Sequence, residues 1–334
     1  MSILCTPLKV GKLEIRNRLV MPPMATGKSD ADGSVSRALC QYYDEKSRGG
    51  HIGLIIAEHS YVSQDGKASN GQVSISRDAD IAGLRQLTEL VHRSGPMIFA
   101  QINHAGGAAT RDVTGCDPIS ASAIRYRKTS PADELPKAMT REDIERIIRD
   151  FTRAAWRARE AGFDGVELHS AHGYLLNQFY SPLVNKRTDG YTGSTLSGRI
   201  RLHLEIVHAI HAIVGDDFPI AVRLGACDYA DGGSTPEDGV AASKAFADAG
   251  ASLLDISGGL NGYTIPGVNG QGYFRDVTRA IKKQVDVPVL LTGGVVNAAC
   301  AEELLKAGDA DLIGVGRAIL QDSGWAERAM ESLP

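Results

Sequence analysis

The 334-residue chain is poor in aromatic residues, which make up 6% of it and include only two tryptophans. Its five cysteines (Cys5, Cys40, Cys116, Cys227, Cys300) are scattered, and no C-x-x-C pair exists. A zinc ribbon or a cysteine-ligated iron–sulfur cluster is therefore not indicated, and reduced thiols are the simplest reading. No apolar run approaches the ~20 residues of a membrane span, and the N-terminus shows no basic segment followed by an apolar stretch. Charge of one sign is also lacking. Thirty-six Lys and Arg against forty Asp and Glu give a net charge of −4, without the basic surplus that nucleic acid attracts. Neither nucleic acid nor a membrane is expected as a partner, and the expected location is cytoplasmic. A homo-oligomer stays open.

What the chain does have is glycine, 37 residues of it, and a hydrophobic content of 43%. Short apolar runs recur between longer amphipathic segments. They lie at residues 18–21, 53–57, 97–101, 165–168, 220–223, 253–256, 287–291 and 312–315. The runs are continuous rather than alternating, as parallel strands buried on both faces should be. Between them stand helix signals: Thr140 with Asp143 ahead of an apolar series that Gly162 should stop, and Thr235 capping ahead of Pro236. Eight strand–helix units without a composition break predict a single (β/α)8 barrel over 1–334, with a doubly wound sheet as the alternative. Residues 8–15 alternate around Gly11-Lys12 and should form a hairpin closing the barrel bottom. A long loop, Ala105 to Met139, follows the third strand and reads either as a lid or as a surface insertion.

Chemistry in such a barrel gathers at the C-terminal strand ends. The fourth run leads directly into His169-Ser170-Ala171-His172-Gly173-Tyr174, so two imidazoles and a phenol leave one strand together. Imidazoles can donate to a carbonyl oxygen and tyrosine can give up a proton; a metal-binding His pair or ordinary strand-closing residues are the other readings. Strand one ends in Pro22-Pro23-Met24-Ala25-Thr26, strand two in Glu58-His59, strand three in Gln101-Ile102-Asn103-His104, and strand five in Arg223. Strand six ends in Ser257-Gly258-Gly259, strand seven in Thr292-Gly293-Gly294, and strand eight in Gly316-Arg317. Glycine turns opening the last helices, with Arg317 beside them, suit a phosphate. Gln101 could pair with a heterocycle, and Arg223 could stabilise negative charge or serve as a buried structural cation whose partner the sequence does not reveal. Phosphate, heterocycle and carbonyl binders on one face suggest FMN and an unsaturated carbonyl substrate.

At this point the chain resembles the old yellow enzyme family of FMN-dependent oxidoreductases, nearly end to end. The blocks are residues 17–24 (NRLVMPPM), 101–106 (QINHAG), 161–169 running into 172–179 (HGYLLNQF), and 185–189 (NKRTD). The resemblance implies a non-covalent FMN, with Pro23, Met24 and Ala25 near its N5 side, Gln101 on its pyrimidine, and Arg223 at the N1–C2 edge. Gly294, Gly316 and Arg317 would hold its phosphate. His169 and His172 would grip the substrate carbonyl, and Tyr174 would be the proton donor. The implied reaction is ping-pong: NADH or NADPH reduces the flavin and leaves, then an activated alkene takes hydride at its β-carbon and a proton from Tyr174 at its α-carbon. Dehydrogenation or demethylation of a larger substrate, or flavin binding without turnover, are the alternatives.

Several positions depart from the common pattern. Ala25 stands where a flavin-tuning Thr or Cys is usual, with Thr26 next. Met24-Ala25-Thr26-Gly27 is similar to the dienoyl-CoA reductase branch, whose iron–sulfur and nucleotide-binding extension this chain is expected to lack. Gly27 or Lys28 replaces a Tyr found in some members, implying a wider substrate pocket at Gly27. Gly107 takes the place of a common Arg, and the block at residues 192–199 is one residue longer than usual.

Overall fold

The structure, a computed structural model, describes residues 2–125 and 135–333. A hairpin comes first, β1 (Leu8–Val10) and β2 (Leu13–Ile15), turning at Gly11 with φ +58°. The barrel strands are β3 (Leu19–Met21), β4 (Leu54–Tyr61), β5 (Met97–Asn103), β8 (Gly165–Ser170), β9 (Ile220–Cys227), β10 (Leu253–Gly258), β11 (Val289–Leu291) and β12 (Leu312–Gly314). All neighbours in it are parallel, and β12 pairs back onto β3 to close the ring. A (β/α)8 barrel, rather than an open doubly wound sheet, is thus the architecture. All eight apolar runs became strands.

Helices α1 (Arg37–Ser47) and α2 (Asp80–Ser94) follow β3 and β4, and α4 (Arg141–Glu160) leads into β8. The next helices are α5 (Leu175–Tyr180), α6 (Leu196–Val214), α7 (Pro236–Asp248) and α8 (Arg275–Lys282). Then come α9 (Ala298–Lys306), α10 (Arg317–Gln321) and α11 (Trp325–Glu331). Thr140 with Asp143 and Thr235 with Asp238 each form a full capping box, and Gly162 at φ +85° ends the α4 segment.

Side chains alternate across the pleat, so each strand feeds two cores. One face packs on the helices. The other, including Val20, Leu54, Ile56, Phe99, Leu253, Leu290 and Leu312, fills the barrel interior with Val10 and Ile15 of the hairpin plugging its lower end. A plugged bottom leaves the strand C-termini as the open mouth.

The stretch 105–139 is more structured than a plain loop. It holds a short helix α3 (Arg111–Thr114) and two paired strands, β6 (Ile119–Ser120) and β7 (Lys137–Ala138). Residues 126–134, the middle of the expected lid, lie outside the described residues. Among the described residues no helix is long and apolar enough to cross a membrane.

Candidate active site

A cavity of 590 Å³ opens at the barrel mouth. Pro23, Met24, Ala25, Gln101, His169, His172, Tyr174, Arg223, Gly294, Gly316 and Arg317 all line it. Gly27 does not. It sits exposed nearby at φ +65°, where a methyl group would meet nothing within 4 Å.

The turn carrying the two histidines and Tyr174 is locally strained and externally braced. His172 takes a left-handed φ of 58°, which costs a non-glycine residue about 1–2 kcal/mol. Three contacts hold it there. His172 Nε2 lies 2.7 Å from Ser257 Oγ at the end of β10. Asn177 Oδ1 accepts from the Gly173 N–H at 2.8 Å, and Gln178 Nε2 donates to the Gly173 carbonyl at 2.8 Å. Gln178 also donates to Ala105 O and accepts from Gly107 N and Ser120 Oγ, which ties the turn to the start of the long segment. Gly107 is buried there, with Pro136 and Ser120 side-chain atoms 3.2–3.3 Å from where a Cβ would stand, so a larger residue would need those neighbours to shift. The result is compact: the His169 ring centre is 5.1 Å from that of His172 and 5.1 Å from that of Tyr174.

A third imidazole joins them. His59, at the mouth end of β4, has its ring centre 5.4 Å from Tyr174 and 6.0 Å from His169. Burial, with the Arg223 charge adding to it, pushes its pKa down to about 4, so it is neutral near pH 7. The sequence places the Glu58-His59 pair at a strand end but by itself assigns His59 no task. Beside it, the Thr26 hydroxyl donates to Glu58 Oε2 at 2.6 Å and pins the 22–26 segment against β4; burial raises the Glu58 carboxyl to about 7.

The cavity floor answers the question left open about Arg223. Its Nε is 3.1 Å from Asp255 Oδ2, across the β9–β10 register that pairs those two residues, and both side chains are buried. Thr292 donates to the other Asp255 oxygen at 3.2 Å. Glu167 lies beneath, accepting from Gln101 Nε2 at 2.9 Å. Burial, reinforced by Asp255, holds the Glu167 carboxyl well above the usual carboxylate range. The floor thus carries one guanidinium and two buried carboxyl groups, Asp255 paired with Arg223 and Glu167 accepting from Gln101. With its NH2 group given to Glu167, Gln101 has its carbonyl end to offer a heterocycle N–H.

The glycine-rich side of the cavity is shaped by close backbone packing. Gly294 has φ +73°, and a Cβ would meet the Tyr273 ring at 2.6 Å and Gly270 O at 2.9 Å. Gly316 directly precedes α10 and approaches Met24 Sδ, which a Cβ would meet at 2.9 Å. The two glycine loops differ, however. The Gly293-Gly294 turn lies ahead of Asn297, the residue that caps α9, rather than opening the helix itself. Leu260, Asn261, Gly262 and Tyr263 complete the mouth, and Asp228 anchors them by accepting from Leu260 N at 3.0 Å. Tyr263 is 60% exposed and its ring centre is 6.2 Å from His172. The sequence reading stopped at Gly259 and missed this segment, whose glycine spacing was the available signal.

Behind β8, Ser170 Oγ lies 2.7 Å from Nε2 of His203, an α6 residue stacked on Phe246 at 5.3 Å. Burial lowers the His203 pKa from 6.5 to about 3. The unfolded chain therefore binds this proton between those values and the folded chain does not, so acidification costs stability there. Melting temperatures measured between about pH 6.5 and pH 4.5 should fall less steeply for His203→Gln than for the parent chain; equal slopes would contradict the assignment.

Residues 3–334 match the NADH:flavin oxidoreductase / NADH oxidase family over essentially their whole length. The chain belongs to that family. It is 41% identical to the NADH oxidase of Thermoanaerobacter brockii over 97% of its own length and 50% of that protein's. It is 38% identical to the NADPH dehydrogenase of Halalkalibacterium halodurans over 94% of its length and 90% of that protein's. The old yellow enzyme homologue from Zymomonas mobilis superposes with a TM-score of 0.87 at 27% identity, covering 99% of this chain and 93% of the other. The chain spans about half the length of the NADH oxidase and nearly all of the NADPH dehydrogenase.

FMN is the cofactor of this family, and the cavity fits it. Its volume lies in the usual ligand-pocket range of roughly 300–1,000 Å³. Gln101 and Arg223 at the floor suit a pyrimidine edge, and the crowded glycines with Arg317 suit a phosphate. Among the described residues no group of three His, Cys, Asp or Glu could hold a metal ion.

Proposed function

We propose that residues 1–334 form one FMN-binding barrel that uses NADH or NADPH to reduce the activated C=C bond of α,β-unsaturated carbonyl compounds. One observation carries this reading: His169, His172 and Tyr174 share a cavity with Gln101, Arg223 and Arg317. FMN, when bound, supplies a two-electron carrier that takes hydride from the nicotinamide and passes it to an electron-poor carbon.

Gln101, Arg223, Gly294, Gly316 and Arg317 would hold the cofactor, and Pro23, Met24 and Ala25 of the same cavity would contact it. Arg223 would supply a fixed positive charge to stabilise an anionic reduced cofactor. His169 and His172 donate to the substrate carbonyl oxygen and stabilise the enolate charge that develops there. Tyr174 gives its phenolic proton to the α-carbon. A cytoplasmic small-molecule substrate belongs to the same reading; Gly27, exposed and outside the cavity lining, takes no part in it.

The clamp is tested with phenols, which bind as mimics of the enolate. His169→Ala combined with His172→Ala should weaken such binding by about 10²-fold, the worth of two charge-assisted hydrogen bonds. The readout is the long-wavelength band that a phenolate stacked on flavin produces. An unchanged dissociation constant would contradict the clamp.

A further inference from the structure

His59 lines the cavity, and the chemistry proposed above leaves it without a task. Its orientation follows from its neighbours. The Ala68 N–H donates to Gln72 Oε1 at 2.6 Å, which fixes the opposite end of that amide as the NH2 group. Gln72 Nε2 lies 2.7 Å from His59 Nδ1 and 3.1 Å from the His59 carbonyl oxygen, and donates to both. An NH2 group brings no lone pair, so Nδ1 is the acceptor and the ring proton sits on Nε2. A neutral imidazole with Nδ1 engaged has one donor left, the Nε2–H, on a residue that lines the cavity.

The His169 ring centre lies 5.1 Å from that of His172 and 6.0 Å from that of His59. A planar ligand whose oxygen is held by His169 and His172 therefore lies in the same cavity that His59 lines. We propose that His59 is a specificity-determining residue whose Nε2–H binds a second acceptor oxygen, selecting cyclic enones and phenols that carry a further carbonyl across the ring. This rests on the clamp role of His169 and His172 given above.

The test titrates FMN-loaded protein with 4-hydroxybenzaldehyde, which has two oxygens, and 4-methylphenol, which has one, following the phenolate–flavin band. Each ligand is compared with itself across variants, so their different acidities cancel. His59→Phe should raise the 4-hydroxybenzaldehyde Kd about tenfold, the worth of one hydrogen bond, and that of 4-methylphenol far less. His59→Gln keeps a donor and should retain part of the discrimination. Gln72→Leu leaves the ring in place but frees its tautomer, and should lose part of it. Equal changes for the two ligands, or no change for either, overturn the proposal. Failure of 4-methylphenol to bind the parent protein would instead overturn the clamp, and this proposal with it. A ¹⁵N spectrum of the loaded protein, with the His59 signals identified by His59→Gln, should show protonated Nε2; protonated Nδ1 overturns the assignment.

Discussion

Replacing Tyr174 with Phe should slow reduction of an activated alkene by about 10²–10⁴-fold, the usual contribution of a positioned general acid. The substitution removes only the hydroxyl. The ring remains to pack against His169 and His59, whose centres lie 5.1 and 5.4 Å away, so the cavity keeps its shape. Reduction of the flavin by NAD(P)H needs no proton from this phenol and should proceed close to the parent rate. Stopped-flow measurement of the two half-reactions separates the effects. Equal losses in both would mean that Tyr174 shapes the cavity instead of supplying the proton.

Arg223→Leu should destabilise the protein by about 3–5 kcal/mol, because it strands a buried carboxylate without its cation. Asp255 is fully buried and Glu167 lies in the same floor, so neither can turn to water. With a melting-temperature shift of roughly 2–4 °C per kcal/mol, the loss should read as a fall of about 6–20 °C. Flavin retention should fall with it, since Arg223 also lines the cavity. Arg223→Leu combined with Asp255→Leu removes both charges and should recover part of the stability but not the flavin. An unchanged melting temperature for the single variant would show that the pair is not the internal support described.

Much of the barrel was legible because a parallel strand buried on both faces leaves an unbroken apolar run, and eight such runs alternate with capped helices. The hairpin at residues 8–15 was legible through its alternation around Gly11. The candidate site was legible where one short segment carries several groups, as at His169, His172 and Tyr174. It was not legible where partners come from different strands. Asp255 stands opposite Arg223 only through the β9–β10 register, 32 residues away, and Glu167 meets Gln101 through the β5–β8 register. A charged residue inside an apolar run was the signal in each case. The pairing that resolves it is a property of closure, not of local sequence. His59 was legible as a strand-end residue but the task proposed for it was not, because that depends on Gln72, 13 residues further on. Tyr263 escaped because it lies on a glycine-rich segment past a strand end, without periodicity to mark it.

The most direct test of the account is an anaerobic titration of the purified protein. NADPH or NADH should bleach about one equivalent of bound FMN per chain, and an enone such as 2-cyclohexenone should then restore the yellow colour with formation of the saturated ketone. Bleached flavin that no member of a panel of enones and quinones reoxidises, while oxygen does, would contradict the ene-reductase assignment.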